Sequence, residues 1–172
     1  MAQVTQNPNK NIKEYDLIDQ GDKDQLLGFG KGMALPVPKS TIQELIHQQG
    51  IERPESVALI SDQGETLTYS ALSSRSSQLA QAIDAHFENK RSHNRVVGIR
   101  YERSLDMIVA LLGTLSAGAT YVPLDPMYPW QRCQTILQDA GAELLLSDKI
   151  APATVSQEIP SYSVSELLDS IK

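Results

Sequence analysis

Short apolar segments between residues 96 and 146 alternate with longer segments of helical periodicity, and this alternation restricts the fold more than any other feature. Residues 96–99 and 144–146 are apolar runs typical of buried strands, and residues 121–122 form a shorter run of the same kind. The segments between them carry apolar residues three and four positions apart, as on one face of a helix. Strands that recur about every twenty residues, with helices between them, predict right-handed crossovers in a parallel sheet. We therefore predict an α/β fold with a doubly wound, mainly parallel sheet and flanking helices.

Capping residues predict where the helices begin and end. Ser40, with Gln43 three positions later, has the pattern of a capping box for a first helix. Ser70 and Ser104 stand where they would cap a long second helix and a third, and Gly118 stands where a left-handed residue would end that third helix. The residues predicted to face inward are Leu72, Leu79, Ala80, Ile83 and Phe87 on the second helix, Leu105, Ile108, Val109, Leu112 and Leu115 on the third, and Ile136, Leu137 and Ala140 on a fourth that has Pro129 in its first turn and ends at Gly141.

A β-hairpin is predicted between the first and second helices. Residues 57–60 form a short apolar run, residues 62–64 have the composition of a turn, and residues 66–69 alternate between polar and apolar side chains. Tyr69 is predicted to end the second strand and to pack its ring against the helix that follows.

The first 39 residues differ from the rest of the chain in being polar and irregular. We predict that residues 1–39 form a linker-like flexible arm and that residues 40–172 form one ordered domain. Within the arm, residues 23–27 predict a short helical turn with Leu26 and Leu27 as its apolar anchor. The glycine-rich residues 28–32 resemble a phosphate-binding loop in composition only, because no strand precedes them, no helix follows them and the Walker spacing is absent. We interpret them as flexible linker.

Composition argues against nucleic-acid and membrane partners. The formal net charge is −6, and the 15 lysine and arginine residues form no basic stripe that would follow a phosphate backbone. A short cationic cluster at residues 90–95 is interpreted as a solvated loop. Residues 107–115 are the longest apolar stretch and are too short to span a bilayer, and the N-terminal residues lack the pattern of a secretory signal. We therefore expect a cytoplasmic protein.

Cysteine and histidine give no sign of a reactive or metal site. The single cysteine, Cys133, excludes an internal disulfide and is predicted to be a buried thiol on an apolar helix face. The three histidines lack the spacing of metal ligands, so we assign them no site: His47, His86 and His93.

Two motifs give the chain a recognisable resemblance. Residues 67–72, L-T-Y-S-A-L, resemble the first core motif of the adenylation domains of nonribosomal peptide synthetases, usually written L-T-Y-x-E-L. Residues 115–125, L-S-A-G-A-T-Y-V-P-L-D, resemble the second motif, L-K-A-G-x-A-Y-V-P-L-D, and the separation between the two is also similar to that family's. Residues 24–27 resemble the linker that joins a condensation domain to an adenylation domain. The similarity extends over roughly residues 12–150, and it implies the N-terminal portion of an adenylate-forming, AMP-binding domain.

The motifs depart from the family's pattern at several positions, none of which conflicts with the fold. Ala71 replaces the usual glutamate, Ser116 the usual lysine, and Thr120 a residue that is commonly small. Trp130 and Gln131 interrupt a segment that usually reads Y-P-x-E-R.

Neither motif contains a nucleophile, base or metal ligand in a catalytic arrangement, so we predict a structural role for both and assign this chain no catalytic, cofactor-binding or metal-binding residue. In the first motif, the hydroxyl of Tyr69 is expected to form a hydrogen bond with a backbone group. In the second, Asp125 is expected to accept backbone N–H groups in a turn.

The resemblance implies an activity that needs more than this chain. A complete adenylation domain activates an amino acid with ATP and Mg²⁺ to an aminoacyl adenylate, and the family's phosphate loop, ribose-binding acidic residues and C-terminal lysine supply the charge stabilisation. Residues 126–172 contain no such loop. We therefore expect a truncated or split adenylation domain that binds no cofactor alone and that pairs with the remainder of the domain or with other synthetase modules.

Two alternatives stay open from the sequence. The first alternative is a non-catalytic binding module that docks on a synthetase, and the short, polar segment at residues 163–172 is compatible with it. A fragment of an acyl or aryl acid ligase of the same superfamily is the other alternative.

Overall fold

The computed structural model describes residues 9, 11, 18–33, 35, 37, 39–88 and 95–169, and the chain separates into two compact units, residues 1–39 and 40–172. In the first unit, helix α1 (Gln20–Gly30) is capped by Asp19, whose carboxylate accepts a hydrogen bond from the backbone N–H of Asp22 at 2.8 Å. The helix is thus twice the predicted length and includes two of the glycines interpreted as linker. A capped first turn contributes about 1 kcal/mol, which offsets the cost of one of the helix's three glycines. Leu26 and Leu27, the predicted anchors, are 55% and 64% exposed.

The second unit contains six further helices and six strands among its described residues. Its elements are α2 (Ile42–Glu52), β1 (Val57–Ile60), β2 (Thr66–Thr68), α3 (Tyr69–Glu88), β3 (Val96–Arg100), α4 (Leu105–Ser116), β4 (Thr120–Pro123), α5 (Trp130–Asp139), β5 (Leu144–Ser147), α6 (Ala153–Ser156), β6 (Ser161–Tyr162) and α7 (Val164–Asp169). The predicted order of strands and helices is confirmed. None of the described helices combines the length and hydropathy that a bilayer crossing requires.

Strands β3 to β6 form one parallel sheet in the order β4-β3-β5-β6. The chain passes from β3 to its neighbour on one side and then crosses β3 to reach β5 on the other. Right-handed crossovers in these two directions would place α4 and α5 on opposite faces of the sheet, and the two helices do pack into different hydrophobic cores. The predicted doubly wound α/β fold is confirmed.

Two hydrophobic cores cover the two faces of this sheet. Side chains alternate along a strand, so Leu144 and Leu146 belong to one core and Leu145 to the other. The larger core lies under α3, α4 and α7, and the smaller one under α5 and α6. Cys133 is fully buried in the smaller core, as predicted. We call the parallel sheet with α3 to α7 the sheet core.

Helix α2 and the antiparallel hairpin of β1 and β2, which we call the outer layer, pack on the larger core without being buried themselves. Ile46, Leu59 and Leu67 are partly buried against that core. No residue of α2 is buried, and Ile51 and Ile60 are 70% and 72% exposed. The predicted hairpin is confirmed, with Gly64 at a φ of 83° in its turn.

Helix ends were predicted less accurately than the helices themselves. Helix α2 begins after Thr41, not Ser40, because the Glu44 carboxylate accepts a 2.7 Å hydrogen bond from the Thr41 backbone N–H. Helix α3 begins at Tyr69, which therefore does not end the strand. Its cap is Thr68, whose hydroxyl accepts from Ala71 N–H at 3.2 Å, and not Ser70.

Three other end signals agree with the structure. Ser104 caps α4 by accepting a hydrogen bond from Met107 N–H at 3.2 Å. Gly118 and Gly141, after α4 and α5, have φ values of 64° and 65°. These left-handed conformations are ones that glycine adopts without the steric cost of a side chain.

The inward-facing residues on the helices were predicted with different success. All five on α3 are buried, as are Val109 and Leu112 on α4 and Leu137 on α5. The others are only half-buried because they lie at the flanks of the helix faces: Leu105, Ile108, Leu115, Ile136 and Ala140. Pro129 is the N-cap of α5, immediately before its first turn.

Candidate functional site

The carboxyl edge of the parallel sheet is where a fold of this kind most often binds ligands. The connections from β3 and β5 leave toward opposite faces, and such a switch point creates a crevice outside the strand ends. In this chain the residues that follow the two strands are Tyr101 and Glu102 after β3, and Asp148 and Lys149 after β5.

The most unusual side chain at this edge is Arg100, the last residue of β3. It is only 4% exposed, and its guanidinium stacks on the Trp130 ring, with 4.2 Å between the central carbon and the ring centroid. Its Nη2 donates to the carbonyl oxygen of Pro126 at 2.5 Å and to that of Tyr128 at 3.5 Å. Among the described residues no carboxylate pairs with it, and its Nε and Nη1 have no partner. Arg100 therefore ties β3 to the segment after β4.

Tyr101 connects the same strand end to the last helix. Its ring is 6% exposed, and its hydroxyl oxygen accepts a 2.8 Å hydrogen bond from the backbone N–H of Val164 in α7. Burial raises the pKa of Tyr101 to about 12, so the phenol stays protonated at neutral pH. This is an anchoring contact between two elements of the sheet core.

Charged groups at the edge neutralise one another. Lys149 Nζ lies 2.6 Å from Glu102 Oε1, and this hydrogen bond with its charge holds the pKa of Glu102 below its usual range. Asp148 accepts from the Glu102 backbone N–H at 3.0 Å. A cleft of about 430 Å³ beside β5 and β6 is lined by Asp148, Lys149 and Glu166. With two carboxylates and a lysine already paired, its charge does not suit a polyphosphate.

The two sequence motifs lie at junctions of the fold. The first passes from β2 into α3 and buries Leu72, which is 2% exposed. The second passes from the end of α4 through the turn at Gly118 into β4. Asp125 Oδ1 accepts from Met127 N–H at 2.8 Å, which confirms the turn predicted for it. These contacts are all structural, and the absence of catalytic residues from this chain stays a prediction.

The two described histidines, His47 and His86, contact different groups. His47 Nδ1 is 2.8 Å from Ser73 Oγ, and His86 Nε2 is 3.3 Å from the carbonyl oxygen of Glu143. His93 and residues 89–94 lie outside the described residues, so the predicted solvated loop is not tested. Arg95, the described member of the cluster, forms an ion pair with Asp84 at 2.5 Å. The described residues hold no group of three or more histidine, cysteine, aspartate or glutamate side chains arranged for a metal ion.

Sequence reasoning missed Arg100. A charged residue at the end of the apolar run 96–99 is a signal of an unusual buried contact, but its partner Trp130 is thirty positions away in the sequence. Only the sheet brings the two together.

Comparison with known proteins identifies the family. The family model described as AMP-binding enzyme matches residues 46–170. Tyrocidine synthase 3 of Brevibacillus parabrevis is 37% identical over 163 residues, which cover 92% of this chain and 2% of that protein. Gramicidin S synthase 2 of Brevibacillus brevis is 37% identical over 145 residues, which cover 84% of this chain and 3% of that protein.

Solved structures agree with this result. The N-terminal subdomain of Klebsiella oxytoca NpsA in complex with 3-hydroxybenzoyl-AMSN matches 76% of this chain and 32% of that chain, with a TM-score of 0.62 and 26% identity. The Bacillus subtilis O-succinylbenzoate coenzyme A synthetase in complex with AMP has the same fold, with a TM-score of 0.62 and 23% identity over 72% of this chain and 32% of that chain.

The fold is thus that of an adenylate-forming enzyme's N-terminal subdomain. The chain belongs to the AMP-binding enzyme family and corresponds to the N-terminal part of an adenylation domain like those of nonribosomal peptide synthetases. It spans 2–3% of the length of these two curated relatives and about a third of the solved subdomain.

Proposed function

We propose that this chain forms the N-terminal part of an adenylation domain that activates an amino acid with ATP, and that it is inactive without the rest of that domain. The observation that carries the proposal is the 37% identity to peptide synthetases over 84% and 92% of the chain. The first motif joins the outer layer to the sheet core and the second joins α4 to β4 within the sheet core, so both support the scaffold of the domain.

ATP and Mg²⁺ belong to the complete domain in this proposal. We assign ATP to neither candidate place in this chain, because the glycine-rich residues 28–30 are the end of α1 and the two carboxylates of the cleft beside β5 would repel its phosphates. The guanidinium of Arg100 is covered by Trp130 and by the segment after β4, so it is not placed to contact a phosphate. No step of the reaction is therefore assigned to this chain.

The amino-acid branch is favoured over an acyl or aryl acid ligase. The two peptide synthetases are 37% identical to this chain, whereas the NpsA subdomain in complex with 3-hydroxybenzoyl-AMSN and the O-succinylbenzoate coenzyme A synthetase are 26% and 23% identical. A non-catalytic docking module remains the second candidate. It is favoured by the exposed apolar side chains of α2, since such surfaces are typical of contacts with another protein: Ile42 and Ile51 are 60% and 70% exposed.

The proposed partners are the remainder of the domain and other synthetase modules, in the cytoplasm. An artificially fused adenylation–PCP di-domain of Klebsiella oxytoca NpsA and ThdA has this fold, at 26% identity over 74% of the chain. That arrangement suggests a carrier protein as a neighbour of the completed domain. The formal net charge of −6 gives no reason to propose a nucleic-acid partner.

The test is ATP–pyrophosphate exchange with two proteins. One is the 172-residue chain. The other is a fusion based on the tyrocidine synthase 3 adenylation domain that this chain matches, in which the chain replaces the corresponding N-terminal part. We expect background exchange from the chain and amino-acid-dependent exchange from the fusion. The parent domain is the positive control. Exchange by the chain alone, or none by a correctly folded fusion, contradicts the proposal.

A further inference from the structure

A second cleft, of about 390 Å³, lies away from the carboxyl edge and between three helices. Helix α2 forms one wall, and α3 and α4 form the other. Its apolar side chains are Ile46, Ile51 and Leu112, and its polar groups are hydroxyls, amides, the Glu44 carboxylate and the His47 ring. This size and mixture are typical of sites that receive a specific group.

Ser76 makes this cleft more than a surface groove. Its side chain lines the cleft and is only 5% exposed, yet none of the described residues hydrogen-bonds its hydroxyl oxygen. Buried hydroxyl groups in folded proteins are normally hydrogen-bonded, because an unpaired one loses its bonds to water without replacement. Ser73, one turn earlier, differs in bonding to His47 at 2.8 Å. A polar atom of a group that enters the cleft would supply the hydrogen bond that this hydroxyl lacks.

Helix α2, which forms one wall of the cleft, exposes apolar side chains. Ile51 lines the cleft and is 70% exposed, and on the same helix Ile42 is 60% and Leu45 36% exposed. In contrast, both faces of the parallel sheet are already covered by helices of this chain. An exposed apolar surface beside a polar group is the pattern of an interface with another folded segment.

We propose that the remaining part of the adenylation domain's N-terminal subdomain docks on α2 and inserts a side chain without negative charge into this cleft, with a polar atom bonded to Ser76. The proposal rests on the proposed function and names the surface through which this chain meets its partner. Two observations select the occupant. The chain accounts for 32% of the solved NpsA subdomain, so about two thirds of such a subdomain has to pack against it. The walls carry no arginine or lysine, so they do not select an acidic group.

The test measures the reactivity of a cysteine placed at the cleft. Ser77 is exposed and lines the cleft, so the Ser77→Cys variant places a reactive thiol there. The native Cys133 is fully buried and should give little background labelling. Maleimide labelling is compared between the 172-residue chain and its fusion to the rest of the tyrocidine synthase 3 adenylation domain. We expect labelling of Ser77→Cys to slow by about tenfold or more in the fusion, because docking closes the cleft. The matched control is Asp139→Cys, exposed at the end of α5, expected to change much less.

A second readout addresses the unpaired hydroxyl. Ser76→Ala should raise the midpoint of thermal unfolding of the 172-residue chain slightly, because it removes a buried hydroxyl without a partner, and should lower that of the fusion by about 2–4 °C. Ser74→Ala, an exposed position on the same helix, should change neither. An unchanged labelling rate of Ser77→Cys in a folded fusion would overturn the proposal, as would a fusion that does not fold.

The outcome is separable from that of the proposed function. A protected cleft in a fusion without ATP–pyrophosphate exchange supports the docking surface and counts against the activity. Exchange with an unprotected cleft supports the activity and rejects the docking surface.

Discussion

The sheet core and the outer layer are built from similar residues but differ in how completely they are covered. In the sheet core, β5 is buried along its whole length, and Leu79 and Leu137 are fully buried. In the outer layer, α2 has no buried residue, and Ile51 and Ile60 are mostly exposed. The apolar side chains of the outer layer therefore give this chain little stability, and they become important only where a partner covers them. We expect perturbations to separate the two regions in proportion to burial.

The largest difference is expected between truncations of two aliphatic side chains. Leu79→Ala empties space in the larger core and should lower the free energy of unfolding by about 3 kcal/mol, whereas Ile51→Ala should change it by less than about 0.5 kcal/mol. Urea denaturation of the 172-residue chain, followed by circular dichroism, measures both. Leu79→Met is the volume-conserving control, with a cost below about 1.5 kcal/mol. Equal costs for Leu79→Ala and Ile51→Ala would remove the distinction between the regions.

A smaller effect is expected where two helices of the sheet core approach closely. A Cβ atom added at Gly113 in α4 would lie 2.7 Å from Cδ2 and 2.9 Å from Cβ of Leu79 in α3. Since the Leu79 Cβ is bound to the backbone, α3 or α4 has to shift, and Gly113→Ala should destabilise the chain by about 2 kcal/mol. Gly28→Ala in α1, where no atom lies within 4 Å of the added carbon, is the control and should not lower stability. A neutral Gly113→Ala would show that the α3–α4 contact is adaptable.

Tyr101→Phe tests an anchoring contact of the sheet core through the pH dependence of stability. Removing the hydroxyl leaves the Val164 N–H without its acceptor and should cost about 1 kcal/mol at neutral pH. Burial raises the pKa of Tyr101 in the folded chain to about 12, above the value near 10 of an exposed tyrosine. Its protonated form is therefore fully favoured in the folded state below about pH 10, and this stabilisation is lost as pH rises through about 12. Urea midpoints measured at pH 9, 10 and 11 should fall less steeply for Tyr101→Phe, and identical slopes would contradict the assignment.

The sequence was most informative where burial is continuous and least informative where several residues can play the same role. Residues 144–146 are apolar without interruption, and they predict a strand covered on both faces because no polar residue offers a solvent side. Thr41 and Thr68 were missed as caps because Ser40 and Ser70 are equally good candidates in isolation. The choice depends on which hydroxyl and which carboxylate the folded backbone brings within reach.

Residues that matter for the candidate sites lie beyond local patterns. Ser76 is one of several serines on α3, and only the packing of α2 and α4 makes it the buried one. Arg100 is visible in the sequence as a charge after an apolar run, but its stack on Trp130 depends on the crossover that places α5 beside β3. The helix α1 was underestimated because glycines at its end suggested a loop, and Asp19 was not recognised as the cap that begins the helix.

The smallest expected effect comes from two helix caps of the same design. Glu166 accepts from Ser163 N–H at 2.6 Å and Glu44 from Thr41 N–H at 2.7 Å, and these hydrogen bonds hold the pKa of each carboxyl below its usual range. A lowered pKa means that each cap stabilises the chain above the pKa of the unfolded state and loses that effect as pH falls through the lower, folded value.

Glu166 caps a helix that buries Val164 and Leu167, so Glu166→Gln should lower the urea midpoint slightly at pH 7 and not at pH 3. Glu44→Gln should leave the midpoint unchanged at both pH values, because α2 buries no residue, and it should only speed amide hydrogen exchange in the first turn of α2. A lower midpoint for Glu44→Gln would mean that the outer layer unfolds together with the sheet core.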